Sequence, residues 1–358
     1  MRVICAPDKL RGALDAAAAA AALATGVRRA GGEPVPLPIG DGGEGTLQAL
    51  VDGGRARCIE VATIDALGRP RIATLGDLGD DVYLVEAAEA IGLAQLGERE
   101  RDPLRASSRG VAPLLDEALA REARQVLVAL GGVATVDGGL GLLAGLGARV
   151  PGESGAALLG QLDVDISAVK ARFGATELVV LHDVDVPLCG PDGAAALFGP
   201  HKGLRPADVA LFDAGLAHLA RALGGNLADR PGAGAAGGLG LALYALGATA
   251  RPGAEAILEL LRFDEHLARA DLCLTAEGSV DRQSAHGKAV SAVVEACVRA
   301  GVPCDVLGGA VSAEAVVALR ALGARDVRAI GPAGRPLAEA FAAAAGELGA
   351  AAEASVRR

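Results

Sequence analysis

Val3-Ile4-Cys5-Ala6-Pro7-Asp8-Lys9-Leu10-Arg11-Gly12 passes from a short apolar run into a loop of charge and glycine. Asp15 then precedes the unbroken apolar run 16–23. Four apolar residues stopped by Pro7 read as a buried strand, and an alanine-rich run behind an acidic capping residue reads as a helix. Working outward, residues 34–39 form a second extended segment, Asp41-Gly42-Gly43-Glu44-Gly45 a glycine-rich loop, and 46–51 the start of another helix. Similar apolar runs recur at 125–130, 177–181, 270–274, 302–307 and 326–330, with helical patterns between them. Such alternation predicts open, mostly parallel sheets. Residues 57–87 differ: short alternating segments broken by Gly-Arg-Pro and Gly-Asp predict an antiparallel meander. The expectation is an α/β protein, with a Rossmann-like, mostly parallel three-layer domain (1–58 and 266–358) interrupted by an inserted mixed α/β domain (59–265). The last residues, 350–358, are expected to fray.

Composition narrows the functional classes. The chain has 358 residues, enough for two domains. A net charge of −10 and 2 % aromatic residues argue against nucleic acid or an anionic membrane as the main partner. No apolar stretch is long enough for a membrane span, no signal peptide opens the chain, and six scattered cysteines without a C-x-x-C pair suit a reducing, cytoplasmic setting. Those cysteines are expected to be buried small hydrophobes. Only four lysines (Lys9, Lys170, Lys202, Lys288) stand beside thirty arginines. The surviving lysines therefore mark places where a compact ammonium serves and a planar guanidinium does not.

In parallel α/β sheets ligands bind beyond the carboxyl ends of the strands, and here each predicted strand is followed by a polar, glycine-bearing loop. Asp8, Lys9 and Arg11 offer two cations and a carboxylate before a helix. Asp41 and Glu44 set two carboxylates among three glycines, a pattern that suits Mg²⁺. Residues 131–139, from Gly131 and Gly132 to Asp137, could cradle phosphate with backbone amides. Asp183 and Asp185 sit at a strand tip, Lys202 follows in a glycine-flanked turn, and Glu277, Asp281, Gln283 and Lys288 cluster after another strand. The G-x-G-x-x-G at Gly232, Gly234 and Gly237 follows no hydrophobic strand, so it reads as a glycine-rich helix start touching a ligand or a neighbouring backbone and not as a dinucleotide fingerprint. No Walker A sequence and no nucleophile elbow occurs. Carboxylates, glycines and a few cations at strand ends suit Mg²⁺-assisted phosphoryl transfer, which works by positioning and charge neutralisation.

Six ordered strings, APDKLRGAL, GDGGEGT, ALGGVATVDGG, DVDVPLCGPDGAAALFGPHKG, PGAGAAGGLG and AEGSVDRQSAHGK, span residues 6–288. In them the chain resembles the bacterial D-glycerate kinase family of the glyoxylate and glucarate pathways. The resemblance implies ATP-dependent phosphorylation of D-glycerate, usually to 2-phosphoglycerate, in a cleft between a Rossmann-like domain and an inserted one, by a monomer or homodimer. Carried over by position, Asp183, Asp281, Lys202 and Lys288 are the catalytic candidates. Asp183 is the first choice, and Asp281 the next, to orient or deprotonate the attacking hydroxyl. Asp8, Arg11, Asp41, Gly43, Glu44, Gly132, Asp137, Asp185, Gly234, Glu277 and Gln283 are the binding candidates, with Asp41, Glu44 and Glu277 as metal ligands. Arg11 stands where the family usually has lysine. Val133, Val136 and Val186 stand where Ser, Asn and Asn are expected, so three hydrogen-bonding side chains are missing near the implied cleft.

Overall fold

A computed structural model describes residues 1–182, 186–282, 284 and 288–358. Among the described residues there are eleven strands: β1 (Arg2–Cys5), β2 (Glu33–Pro36), β3 (Arg57–Ile64), β4 (Pro70–Asp77), β5 (Val82–Glu86), β6 (Gln125–Ala129), β7 (Glu177–His182), β8 (Thr249–Pro252), β9 (Leu272–Val280), β10 (Cys304–Val311) and β11 (Asp326–Ala329). They form two sheets. One is five-stranded, in the order β11-β10-β9-β1-β2, and its pairs are parallel. The other is six-stranded and mixed, in the order β3-β4-β5-β6-β7-β8. There β3/β4 and β4/β5 are antiparallel, as the meander pattern predicts, while β5/β6 and β6/β7 are parallel.

The chain folds as two compact units. The first comprises Met1–Asp41, Gly45–Arg55 and Pro252–Arg358, and the second Gly42–Glu44 and Ala56–Arg251. The protein is thus α/β, with a parallel sheet built from N- and C-terminal strands and a mixed-sheet unit inserted between them.

In the first unit the helix Ala16–Arg29 begins where Asp15 Oδ1 accepts from Ala18 N (2.7 Å), and Arg28 and Arg29 close its last turn against the helix dipole. It connects β1 to β2 as a βαβ unit. Its alanines let the neighbouring helix Leu337–Val356 come close: a Cβ placed on Gly26 would lie 1.9 Å from Gly349 O. Backbone approach of this kind replaces the aromatic side chains that the composition lacks.

Two sequence expectations change. The strand expected at 270–274 runs on to Val280, because β10 continues alongside it through Ala310↔Ser279 and Val311↔Val280. Glu277 therefore stands on a strand and not in a loop. The C-terminus does not fray at 350. The last helix reaches Val356, held where Arg328 Nη2 donates to Ala351 O (2.8 Å) and Ser355 Oγ (2.6 Å) and Arg325 Nη2 to Ser355 O (3.2 Å). Arg325 is itself fixed by a two-point pair with the buried Asp305 (2.7 and 2.6 Å).

Candidate active site

In the first unit β9, β1 and β2 lie side by side, and each delivers a carboxylate at its carboxyl end: Glu277, Asp8 and Asp41. The chain runs from β1 outward to β2 on one side and continues through β9, β10 and β11 on the other. Asp8 thus stands at the switch point where such sheets bind ligands. Backbone bonds set its place, with Asp8 N donating to Ala276 O (2.9 Å) and Ile39 N to Pro7 O (2.9 Å). Asp8 is buried, and burial together with the charges of Asp41 and Glu277 pushes its carboxyl up to about 7, against the pull of Lys9. Burial also raises Glu277, opposed by a hydrogen bond from Ser284 and by the charge of Lys288.

Ser284 was not singled out in the sequence. It is buried, its Oγ donates to Glu277 Oε2 (2.7 Å), and it exchanges bonds with Asp281 through Asp281 N to Ser284 Oγ (3.2 Å) and Ser284 N to Asp281 Oδ1 (3.3 Å). The only sequence signal is the D-x-x-S spacing, a reciprocal capping pattern. Lys288 opens the helix Ala289–Ala300, its N donating to Ser291 Oγ (3.1 Å). Arg11 is exposed, beside Gly278, whose added Cβ would lie 3.0 Å from Arg11 N.

Replacing Ser284 by Ala removes the bond that lowers the Glu277 carboxyl. A hydrogen bond to a charged group contributes ~1.5–3 kcal/mol, so kcat is expected to fall roughly 10-fold or more. If Glu277 must be charged for turnover, the acid limb of the pH–kcat profile moves to higher pH. An unmoved limb would deny Ser284 this positioning role.

In the second unit the loop after β6 is built around Asp137, which is wholly buried. Its carboxylate accepts from Ser108 N (2.7 Å), Ser108 Oγ (2.7 Å), Gly139 N (3.0 Å) and Gly141 N (3.2 Å). Burial raises this carboxyl against the pull of those bonds. Several loop amides thus serve the fold itself, where the sequence left them available to phosphate. Ser108 is a second residue missed in the sequence, since its partner lies 29 positions away and leaves no local pattern. Lys202 is buried too, and its Nζ donates to Thr135 O (2.8 Å). Burial lowers its ammonium to about 8, partly offset by the charge of Asp137.

The glycine-rich stretch at 232–240 meets neighbouring backbone. A Cβ on Gly234 would lie 2.1 Å from Pro187 O, and one on Gly237 (φ +67°) 2.0 Å from Thr135 O. Gly43 and Glu44 belong with this unit: Cβ atoms on Gly131 and Gly132 would lie 2.5 Å from Gly43 Cα and 2.9 Å from Glu44 Cβ. Asp183, Asp185 and Gln283 lie outside the described residues.

Val133, Val136 and Val186 are all buried, at 2, 0 and 4 % exposure, and the first two belong to the apolar core of this unit. They fill space in the protein interior, so their missing hydroxyl and amide groups are a matter of packing. Val133→Ser is expected to cost ~1–3 kcal/mol by burying a hydroxyl. It should leave the substrate KM unchanged, a split that thermal melts and steady-state kinetics will read.

The glycerate kinase family model matches residues 3–358. This chain belongs to the glycerate kinase family. A Bacillus subtilis (strain 168) protein named glycerate kinase is 37 % identical over 360 residues, covering 96 % of this chain and 94 % of its own. An Escherichia coli K12 protein named glycerate 2-kinase is 37 % identical over 303 residues, covering 80 % of each. A crystal structure from Salmonella typhimurium LT2, assigned as glycerate kinase 2, superposes with a TM-score of 0.81 at 32 % identity, covering 100 % of this chain and 97 % of that one. Membership of this kinase family implies ATP as the phosphoryl donor. No helix among the described residues is long and apolar enough to cross a membrane.

Proposed function

We propose that this glycerate kinase family member transfers the γ-phosphoryl group of Mg²⁺-bound ATP to the 2-hydroxyl of D-glycerate, giving 2-phosphoglycerate. The observation that carries the reading is Asp8, between the acids of two neighbouring strands, its carboxyl raised to about 7 first by burial and then by their charges. A buried carboxyl whose proton affinity is raised by burial and by two neighbouring acids asks for a cation, and hard oxygen donors suit Mg²⁺. Among the described residues, no three carboxylate or imidazole groups bring their ligand atoms within 4.8 Å of one another. A site with few protein ligands fits an ion that keeps its waters and arrives with a nucleotide. Asp8, Asp41 and Glu277 would hold it. When bound, the ion supplies charge neutralisation at the transferring phosphoryl group.

The protein's own groups do the rest. Ser284 orients Glu277, and Lys288 places positive charge at the head of a helix, where phosphate oxygens are stabilised. Arg11 is proposed to meet the glycerate carboxylate. Asp183 and Asp281 are proposed to orient the attacking hydroxyl and take its proton. Lys202 acts from beneath the loop after β6: its bond to Thr135 O holds that loop, and its charge is presented through the backbone.

A coupled assay for ADP release tests the reading. D-glycerate should support turnover that stops with EDTA and returns with excess Mg²⁺. Turnover indifferent to EDTA, or equal rates with D- and L-glycerate, would overturn it.

A further inference from the structure

Three cysteines that this chemistry does not use converge inside the first unit. Cys273 and Cys304 are register partners on β9 and β10, and Cys297 comes from the helix Ala289–Ala300. The backbone ties the three places together, Val302 N donating to Cys297 O (2.9 Å), Cys273 N to Pro303 O (2.9 Å) and Arg325 N to Cys304 O (2.8 Å). The three sulfur atoms all lie within 4.8 Å of one another, and no residue of the three is more than 1 % exposed. Metal–sulfur bonds of about 2.3 Å in a flat three-coordinate site would set the sulfurs about 4 Å apart, a spacing compatible with this cluster. Space-filling alone does not call for sulfur here, because the same core fills comparable positions with alanine and valine, such as Ala276, Val294 and Val306.

We propose that Cys273, Cys297 and Cys304 form a binding site for one soft monovalent cation of the copper(I) or silver(I) class. Thiolate and thiol sulfur select soft ions, and the cluster contains no oxygen or nitrogen ligand for a hard one. Coordination number decides the valence. Three sulfurs enclosed by apolar side chains suit an ion content with three ligands, and one thiolate with one positive charge is the neutral, least costly combination in an apolar interior. Zinc would leave a net charge and wants a fourth ligand, whereas the flanking Leu272, Leu274, Val293, Ala296 and Val306 are apolar and buried. Binding changes no oxidation state: the cation takes a lone pair from one cysteine sulfur, whose proton leaves to solvent, and contacts from the other two sulfurs. Cys273 lies four residues before Glu277 on the same strand, so an ion here cross-links the strand that carries a carboxylate of the candidate active site.

The test uses the full-length protein with the two accessible thiols removed, Cys58→Ser with Cys189→Ser. It is loaded anaerobically with copper(I) in the presence of excess glutathione. We expect one copper retained per chain by native mass spectrometry, three sulfur neighbours by X-ray absorption, and a rise in Tm on loading. Adding Cys297→Ala should abolish retention while the metal-free Tm confirms a folded chain. The sulfur count of the parent protein decides the matter even if that variant fails to fold. Loss of copper to glutathione, a two-sulfur environment, unchanged retention in Cys297→Ala, or preferential retention of zinc would each overturn the assignment.

Discussion

Asp8→Asn makes the ligand-free protein more stable at pH 8 and removes most of its kinase activity. Asp8 has its carboxyl raised from an ordinary 3.8 to about 7 in the folded chain. The stability linked to protonating it is complete below about pH 4 and is lost as pH rises through 7. At pH 8 the folded protein therefore holds a buried charge beside Asp41 and Glu277 that the unfolded chain holds at no cost. Asparagine keeps the shape and removes the charge, so it relieves a penalty on the order of a few kcal/mol. The wild-type Tm should fall from pH 4 to pH 8 relative to the variant, and the two curves should meet at the acid end. Parallel curves would show that Asp8 is not held in this way. Activity should fall ~100-fold or more, because the cation loses a ligand where charge develops. Mg²⁺–ATP should raise the Tm of the wild type more than that of the variant. A residue whose removal stabilises the fold and abolishes the chemistry marks a site whose strain is kept for function.

Asp137→Ala has the opposite signature. It leaves Ser108 N, Ser108 Oγ, Gly139 N and Gly141 N without their acceptor in the interior of the second unit, and deprives the buried Lys202 of the charge that sustains it. Each stranded donor costs ~1–3 kcal/mol, and the buried ammonium of Lys202 loses a favourable neighbouring charge. The loss should be large enough to shift the denaturant midpoint by more than any other single change in this loop. Lys202→Met tests the coupling. Made on the Asp137→Ala background it should cost less than on the wild type, because the charge that favours its ammonium is then already gone. Equal costs in the two backgrounds would mean that Lys202 and Asp137 do not act as a unit.

The apolar runs at 3–6, 125–130 and 177–181 were legible as strands because each is short and stopped by Pro, Gly or charge. The meander at 57–87 was legible from its alternation. What local pattern could not show is length set by a partner: β9 reaches Val280 only because β10 lies alongside it. β8 passed unnoticed, since four residues ending at a proline carry too little period to register. The carboxylates at strand ends were legible as a group, but Ser284 and Ser108 were not. Their roles come from contacts that depend on how the chain returns on itself. The three valines illustrate the same limit. As departures from a family string they read as hydrogen-bonding groups missing near the implied cleft, and only burial shows that they pack the interior. Likewise the cysteines read singly as inert hydrophobes, and their convergence emerges only with the strand register.

The most direct test is phosphorus NMR of the product formed from ATP, Mg²⁺ and D-glycerate. A new phosphate monoester signal should appear that coincides with added 2-phosphoglycerate and grows as ATP is converted to ADP. Its appearance should be lost in Asp8→Asn. A signal coinciding with 3-phosphoglycerate would refute the assigned hydroxyl. Inorganic phosphate as the sole product, or undiminished product from the Asp8→Asn protein, would contradict the reading of the acid cluster itself.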